Sequence, residues 1–152
     1  MRAGLQSLQR QSEPIVLFLA LALLVRAHVW VPLFITGNSM LPTLHSGQFA
    51  GLNKLAYVYR PPQRGDIVAV WTEKSIMVKR IIGLPGEEIS VENGAFFING
   101  RPLREPYVQF QEHSNVGTGR IGKNQFVVAG DNRSHTIVAV VAKERILGRL
   151  MR

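Results

Sequence analysis

Residues 88–98 read Glu-Ile-Ser-Val-Glu-Asn-Gly-Ala-Phe-Phe-Ile, and this stretch decides the fold class. Asn93-Gly94 is a strong signal for a two-residue hairpin turn, because both residues tolerate the positive φ that such a turn needs. The pair stands between Glu88–Glu92 and Ala95–Ile98, two short runs that contain β-branched and aromatic residues. A second pair, Asn99-Gly100, ends the hairpin. The stretch therefore predicts antiparallel β structure.

The same pattern continues on both sides of this hairpin. Short apolar runs alternate with turn residues, which is typical of an all-β domain. Further strands are predicted at Val31–Thr36, Asp66–Trp71, Ser75–Ile82, Gln125–Ala129 and Arg145–Leu150. Gln111–Asn124 is polar and contains glycine, so it is predicted to be a loop. We expect a mainly β protein, with a compact antiparallel domain behind one N-terminal helix.

The N-terminal apolar segment predicts that helix. Pro14–Val25 carries no charge and is apolar on every face, and apolar residues resume between Val29 and Ile35. The run to Val25 alone is too short for a hydrocarbon core of about 30 Å, so the predicted transmembrane anchor extends over residues 14–30. A weak excess of arginine in residues 1–13 predicts a cytoplasmic tail, which leaves residues 31–152 outside.

Two alternatives for this segment were weighed. A cleaved secretory signal would carry small residues after the apolar run, but Arg26, His28 and Trp30 occupy that place. A buried helix of a soluble domain would be apolar along one stripe rather than on every face. Retention as an anchor is therefore the favoured interpretation.

The bulk composition limits the remaining function classes. A chain of 152 residues is typical of one domain, and the absence of cysteine removes disulfides and thiolate chemistry. The formal net charge of +8 suggests an anionic partner, either nucleic acid or a lipid surface. The basic residues are scattered along the chain without a dense block, so we expect no nucleic-acid binding and favour membrane lipid.

No metal or cofactor is expected from the sequence. The four histidines have no partner at ligand spacing, and each is interpreted as a surface or supporting residue: His28, His45, His113 and His135. No Gly-x-Ser-x-Gly motif singles out a member of a Ser-His-Asp triad.

Two other stretches carry candidate chemistry. Residues 37–44 read Gly-Asn-Ser-Met-Leu-Pro-Thr-Leu and follow a predicted strand, where they could equally form an ordinary turn. Residues 77–86 read Met-Val-Lys-Arg-Ile-Ile-Gly-Leu-Pro-Gly, and period-2 alternation places Lys79 with Met77 and Ile81, opposite Arg80. A lysine that cannot reach water loses its charge more easily, and a neutral amine beside a serine hydroxyl can activate it.

These residues carry a resemblance to the type I signal peptidases, a family of Ser/Lys serine peptidases. Residues 39–44 resemble the family's nucleophile box, and Val78–Gly86 resembles the box with the catalytic lysine. Further similar segments, in the family's order, are Arg64–Val68, Phe97–Gly100 with Glu105-Pro106-Tyr107, and Gly130-Asp131-Asn132-Arg133. The resemblance covers about Pro14 to Arg149 and includes the anchor.

The resemblance implies roles for individual residues. Ser39 would be the nucleophile, and Lys79 would be the general base. The backbone N–H of Ser39 would stabilise the oxyanion, and Gly37 stands where some members have a serine hydroxyl. Met40 would line the site. Asp131 and Asn132 would form a loop that supports it, and we expect Arg80 to pair with Asp131.

The final box departs from the family pattern. Thr136 stands where members have a serine, and its hydroxyl would orient Lys79. The Asp-Ser-Arg that usually follows is replaced by Val138-Ala139-Val140. The expected hydroxyl support of Lys79 is therefore reduced to Thr136.

The implied function is removal of signal peptides from exported preproteins, by a monomeric enzyme in the bacterial cytoplasmic membrane with its catalytic domain outside. An organelle membrane remains an alternative location. A specialised Ser/Lys peptidase with a narrow substrate is an alternative function. An inactive tethered protein that binds extended peptides by strand addition is another. A self-cleaving repressor is disfavoured, because no DNA-binding module is visible.

Overall fold

A computed structural model describes residues 14–23, 29–109 and 115–151. Residues 14–23 are helical, and their side chains are exposed. No helix in these ranges has the length and apolar character that a membrane crossing needs. The predicted tail, 1–13, and residues 24–28 of the predicted anchor lie outside the described residues. Trp30, predicted as the last residue of the anchor, opens the first strand and pairs with Asn53.

Eleven strands in these ranges form two antiparallel sheets. In chain order they are β1 (Trp30–Phe34), β2 (Phe49–Asn53), β3 (Ile67–Trp71), β4 (Ile76–Gly83), β5 (Glu88–Glu92), β6 (Ala95–Ile98), β7 (Arg101–Pro102), β8 (Val116–Arg120), β9 (Gln125–Ala129), β10 (Ala139–Ala142) and β11 (Ile146–Met151). The larger sheet has the order β1-β2-β11-β3-β4-β9-β10, and the smaller sheet has the order β7-β6-β5-β8. Short 3-10 turns cover Arg133–His135 and Lys143–Arg145. The mainly β prediction is confirmed.

The predicted hairpin forms at the predicted place. Asn93 and Gly94 have φ angles of 50° and 80°, and Glu92 pairs directly with Ala95. The two-residue turn therefore has the positive φ values that its sequence favours. Asn99-Gly100 ends β6 as expected and also turns the chain into β7, where Ile98 pairs with Arg101.

The two sheets share a hydrophobic core. Ile82 on β4 and Ala129 on β9 pack with Val91 on β5 and Phe96 on β6, and all four are buried. A neighbouring cluster fills the larger sheet with Val68, Val70, Ile81, Phe126, Val128 and Val141. The smaller sheet is therefore docked on β4, which carries Lys79 and Arg80, and on β9, which precedes residues 130–133.

The predicted loop Gln111–Asn124 is wrong in part. Residues 111–114 lie outside the described residues, but Val116–Arg120 forms β8 and pairs with β5. This strand has glycines at 117 and 119, so no side-chain alternation marks it in the sequence. Its backbone instead pairs with the edge of β5. The strands β2 and β10 were also not predicted.

Candidate active site

Ser39 lies in a turn that begins where β1 ends. Gly37 has a φ of 85°, a value that a residue with a side chain rarely adopts, and it bends the chain out of the strand. Met40, which follows the serine, is only 2% exposed and packs with Ile35 and Leu44 in a buried cluster. The buried side chain of Met40 therefore holds the neighbouring, half-buried Ser39 at the surface of the core.

Lys79 lies on β4 and meets Ser39. In the sheet it pairs with Val68 of β3, and its side chain is 7% exposed. The Lys79 Nζ lies 2.7 Å from the Ser39 Oγ, which is a hydrogen-bonding distance. The two residues that the sequence singled out, 40 positions apart, are thus in direct contact.

Burial lowers the pKa of the Lys79 amine below its ordinary value, because the charged form loses its hydration. The carboxylate of Asp131 acts in the opposite direction and raises that pKa. Burial is the larger effect, so the net shift is downward. The amine therefore loses its proton more readily than a lysine in water does.

Arg80, the next residue on β4, forms the predicted pair with Asp131. Its Nε and Nη2 atoms lie 2.8 Å and 2.6 Å from the two carboxylate oxygens, and Asp131 is fully buried. Arg80 also donates to the carbonyl of Gly65 at 2.8 Å. A bidentate ion pair of this kind fixes the relative orientation of the two side chains, and it also brings their opposite charges together.

Asn132 joins its own loop to the serine turn. Its backbone N–H donates to the Ser39 carbonyl at 3.0 Å, and its Nδ2 donates to the Asn38 carbonyl at 3.1 Å. The Ser134 hydroxyl donates to the Asn132 side-chain oxygen at 2.8 Å, which fixes the orientation of the amide. The loop after β9 is therefore hydrogen-bonded to the turn that carries Ser39.

Thr136 reaches the same region, but its hydrogen bonds differ from the expected one. Its hydroxyl accepts from the Gly130 N–H at 2.9 Å and donates to the Ile137 carbonyl at 3.3 Å, and no bond to Lys79 accompanies these. A Cβ added to Gly130 would lie 2.2 Å from the Ser39 carbonyl oxygen and 2.5 Å from Thr136 Oγ1. Only glycine fits between these groups.

Sequence reasoning did not assign a role to the residues behind this loop. Arg133 makes a two-pronged contact with Glu105, and Arg80 lies over the ring of Tyr107. The Glu-Pro-Tyr motif was visible in the sequence, but its contacts depend on how the two sheets dock.

Of the histidines that the structure describes, neither His45 nor His135 hydrogen-bonds to Ser39 or Lys79. Among the described residues, the His135 ring contacts the Ser134 hydroxyl at 2.9 Å, and no group of acidic or histidine side chains has the arrangement of a metal site. His28 and His113 lie outside the described residues.

A groove with a volume of about 240 Å³ opens beside the pair. One wall is formed by residues 33–37 at the end of β1, and the other by residues 75–79 at the start of β4. Ser39 and Lys79 both line it. Because β1 is the outermost strand of the larger sheet, the groove runs along a sheet edge.

Comparisons with known proteins agree with this arrangement. A model of the family described as "Signal peptidase, peptidase S26" matches residues 8–151. Signal peptidase I of Bacillus amyloliquefaciens is 34% identical, over 90% of this chain and 79% of that protein. Signal peptidase I T of Bacillus subtilis is 33% identical over the same shares, and a probable signal peptidase I-1 of Synechocystis is 37% identical, over 78% of this chain and 65% of that protein.

A solved structure shows the same fold. The crystal structure of a signal peptidase I from Enterococcus faecalis superposes with a TM-score of 0.53 at 27% identity, and it covers 60% of this chain and 98% of that one. The family match over nearly the whole chain and these relatives all indicate the same family. The chain belongs to the signal peptidase family, peptidase S26.

Proposed function

We propose that Ser39 is the nucleophile and Lys79 the general base with which this signal peptidase I-type serine endopeptidase removes signal peptides. The observation that carries the assignment is the 2.7 Å contact between Lys79 Nζ and Ser39 Oγ, together with the burial of the amine. A nucleophile and its base need this distance, and the base must be neutral at the pH of reaction.

In the proposed reaction, the Ser39 Oγ attacks the carbonyl carbon at the cleavage site while Lys79 Nζ accepts the hydroxyl proton. The amine then returns that proton to the departing nitrogen, and the carbonyl remains as an ester on Ser39. A water molecule, deprotonated by Lys79, hydrolyses the ester and frees the serine. The backbone N–H of Ser39 stabilises the oxyanion.

The groove supports an extended substrate. A peptide that lies between the end of β1 and the start of β4 can bond to exposed backbone, while alternate side chains point into the groove. Met40 lines the groove beside Ser39. The family resemblance implies small residues at the first and third positions before the cut. Asp131, Asn132 and Arg80 hold the serine turn, and Gly37 allows the bend.

The membrane topology is also part of the proposal. Residues 1–13 are the cytoplasmic tail, and the anchor begins at residue 14 and ends before Trp30, because Trp30 belongs to β1. The catalytic domain, from Trp30 onward, lies on the outer side of a bacterial cytoplasmic membrane. The exposed apolar side chains of the helical segment support this, among them Leu17 and Phe18, which are 74% and 70% exposed. The net charge of +8 agrees with an anionic lipid surface. The enzyme is proposed to act as a monomer.

The test is cleavage of a preprotein with an Ala-x-Ala site by the full chain in detergent or vesicles. Wild type is expected to release the mature protein, and Ser39→Ala is expected to lose essentially all turnover. Ser90→Ala, which changes a serine in the smaller sheet, is the matched control and should cleave normally.

Each result separates the competing functions. Cleavage by Ser39→Ala at the wild-type rate would refute the nucleophile. Binding of the preprotein without cleavage by wild type would favour an inactive peptide-binding homologue. Cleavage of one preprotein among many would favour a specialised processing enzyme.

A further inference from the structure

Glu105 and Tyr107 lie outside the groove, in the segment that leaves β7 of the smaller sheet. We propose that they are positioning residues for the cleavage reaction, which hold residues 130–133 against the Ser39 turn. The proposal rests on the Ser39–Lys79 pair that is proposed above. It gives the smaller sheet a part in catalysis as well as in stability.

The first contact is the one between Glu105 and Arg133. The Arg133 Nη1 and Nη2 atoms donate to the two carboxylate oxygens at 2.9 Å and 2.5 Å, and the exposed fractions of the two side chains are 5% and 8%. Arg133 also lies over the ring of Phe96, with 4.5 Å from its guanidinium carbon to the ring centre. Its Nε donates to the Gly130 carbonyl at 2.9 Å. These contacts attach Arg133, at one end of the loop, to Phe96 of the smaller sheet and to Glu105, in the segment that follows that sheet.

The second contact passes through Tyr107 to the other side of the loop. Its hydroxyl donates to Glu105 Oε1 at 2.8 Å, and its ring centre lies 3.9 Å from the guanidinium carbon of Arg80. Burial, with the Glu105 charge adding to it, raises the pKa of the Tyr107 phenol, which keeps it a neutral donor. Arg80 is in turn held on the buried carboxylate of Asp131. Both neighbours of Asn132 are therefore fixed from outside.

The loop transmits this position to the nucleophile. Asn132 is the residue between the two held neighbours, and it bonds to the carbonyls of Ser39 and Asn38. The missing side chain at Gly130 lets the loop approach the Ser39 carbonyl directly. A shift of about 1 Å at a reacting group can reduce a rate on the order of 100-fold. Loosening Glu105 or Tyr107 would permit such a shift without removing any reacting group.

The position of the two residues predicts which kinetic constant changes. Neither Glu105 nor Tyr107 lines the groove between β1 and β4. The substrate therefore keeps its binding contacts when they are changed, and KM should hold while kcat falls. A contribution to global stability alone would lower activity only in proportion to the folded fraction.

The experiment compares Glu105→Gln and Tyr107→Leu with wild type in the full chain. We expect kcat to fall on the order of 10-fold to 100-fold, with KM changed by less than about twofold and the protein still folded at the assay temperature. Tyr107→Phe keeps the ring under Arg80 and should retain most of the activity. Glu92→Gln and Tyr59→Leu are matched controls at exposed positions and should behave as wild type.

A second measurement does not depend on turnover. Hydrogen exchange at the Asn132 amide, which bonds to the Ser39 carbonyl, should be roughly tenfold faster in Glu105→Gln than in wild type or Glu92→Gln. Unchanged exchange together with unchanged kcat would overturn the proposal. A raised KM at constant kcat, or an activity loss that matches the unfolded fraction, would also overturn it. Cleavage by Ser39→Ala would instead refute the proposed nucleophile, so the two failures are distinct.

Discussion

Lys79 carries two opposing influences on its proton. The low-dielectric core around β4 disfavours the ammonium form, and the Asp131 carboxylate favours it. Arg80 pairs with Asp131 and so compensates part of its negative charge. The Arg80–Asp131 ion pair therefore weakens the effect by which Asp131 raises the pKa of Lys79, although Arg80 does not contact Ser39.

The pH dependence of cleavage follows from this balance. In the proposed mechanism the neutral amine is the active form, and burial holds the pKa of this amine below that of an ordinary lysine. Activity should therefore rise with pH through that lowered pKa and reach its plateau at lower pH than a solvated lysine would allow. The measurement is kcat/KM against pH.

Lys79→Arg is the companion change to this profile. Arginine stays charged at any accessible pH, so turnover should be lost, whereas Lys123→Arg at an exposed turn should leave it intact. Retained activity in Lys79→Arg would point to another base, with His45 and His135 as the next candidates.

Local sequence predicted the central residues of the site and only part of their support. Ser39 and Lys79 stand in recognisable boxes, and the pairing of Arg80 with Asp131 follows from two charges in such boxes. The contacts of Glu105 and Tyr107 depend on the docking of two sheets, which no short window encodes. For the same reason, the hydroxyl of Thr136 was assigned to Lys79, while the structure gives it Gly130 as its donor.

At the scale of elements, turn chemistry was the reliable guide. Asn93-Gly94 fixed the β5–β6 hairpin because the required φ values are a property of those two residues. The strand β8 has no such signal, since its place depends on the free edge of β5. β8 was therefore missed because its partner, rather than its own side chains, defines it.

The docking of the two sheets should depend strongly on Phe96. Its side chain is 2% exposed and packs between β4, β5 and β9, so Phe96→Ala leaves a cavity in their shared core. We expect a loss of about 3–5 kcal/mol in the free energy of unfolding. Urea unfolding measures it, with half-buried Phe97→Ala as the neighbouring control. Equal losses in the two variants would contradict a specific role in docking.

At the scale of the whole molecule, exposed aromatic side chains gather on the β1–β2 hairpin. Phe34 and Phe49 are 52% and 72% exposed, and their ring centres are 5.1 Å apart. The groove and the Ser39 turn lie at the end of the same hairpin. An apolar surface at this position would rest on the bilayer from which a signal peptide emerges.

This surface can be tested without altering the groove. Phe49 does not itself line the groove, and Phe34, which its ring contacts, keeps its own place in the wall, so Phe49→Ser should leave cleavage of a short soluble peptide unchanged. Cleavage of a preprotein embedded in vesicles should fall by up to roughly 30-fold, because an apolar contact worth on the order of 2 kcal/mol is lost. The control is Val140→Ser on β10, at the opposite edge of the larger sheet, where 61% exposure is similar. An equal decrease with both substrates would contradict a role at the membrane.

The place of β11 in the larger sheet affects when the site can assemble as the chain is synthesised and folds. Ser39 lies in the connection between β1 and β2, and Lys79 lies on β4, which pairs with β3. The strand β11, residues 146–151, lies between β2 and β3 and pairs with both. A growing chain therefore contains both Ser39 and Lys79 before β11 is present to bring the two parts of the sheet together. The contact between Ser39 and Lys79 therefore depends on β11, a strand that contains neither residue and that must be made before the two sides of the sheet can join.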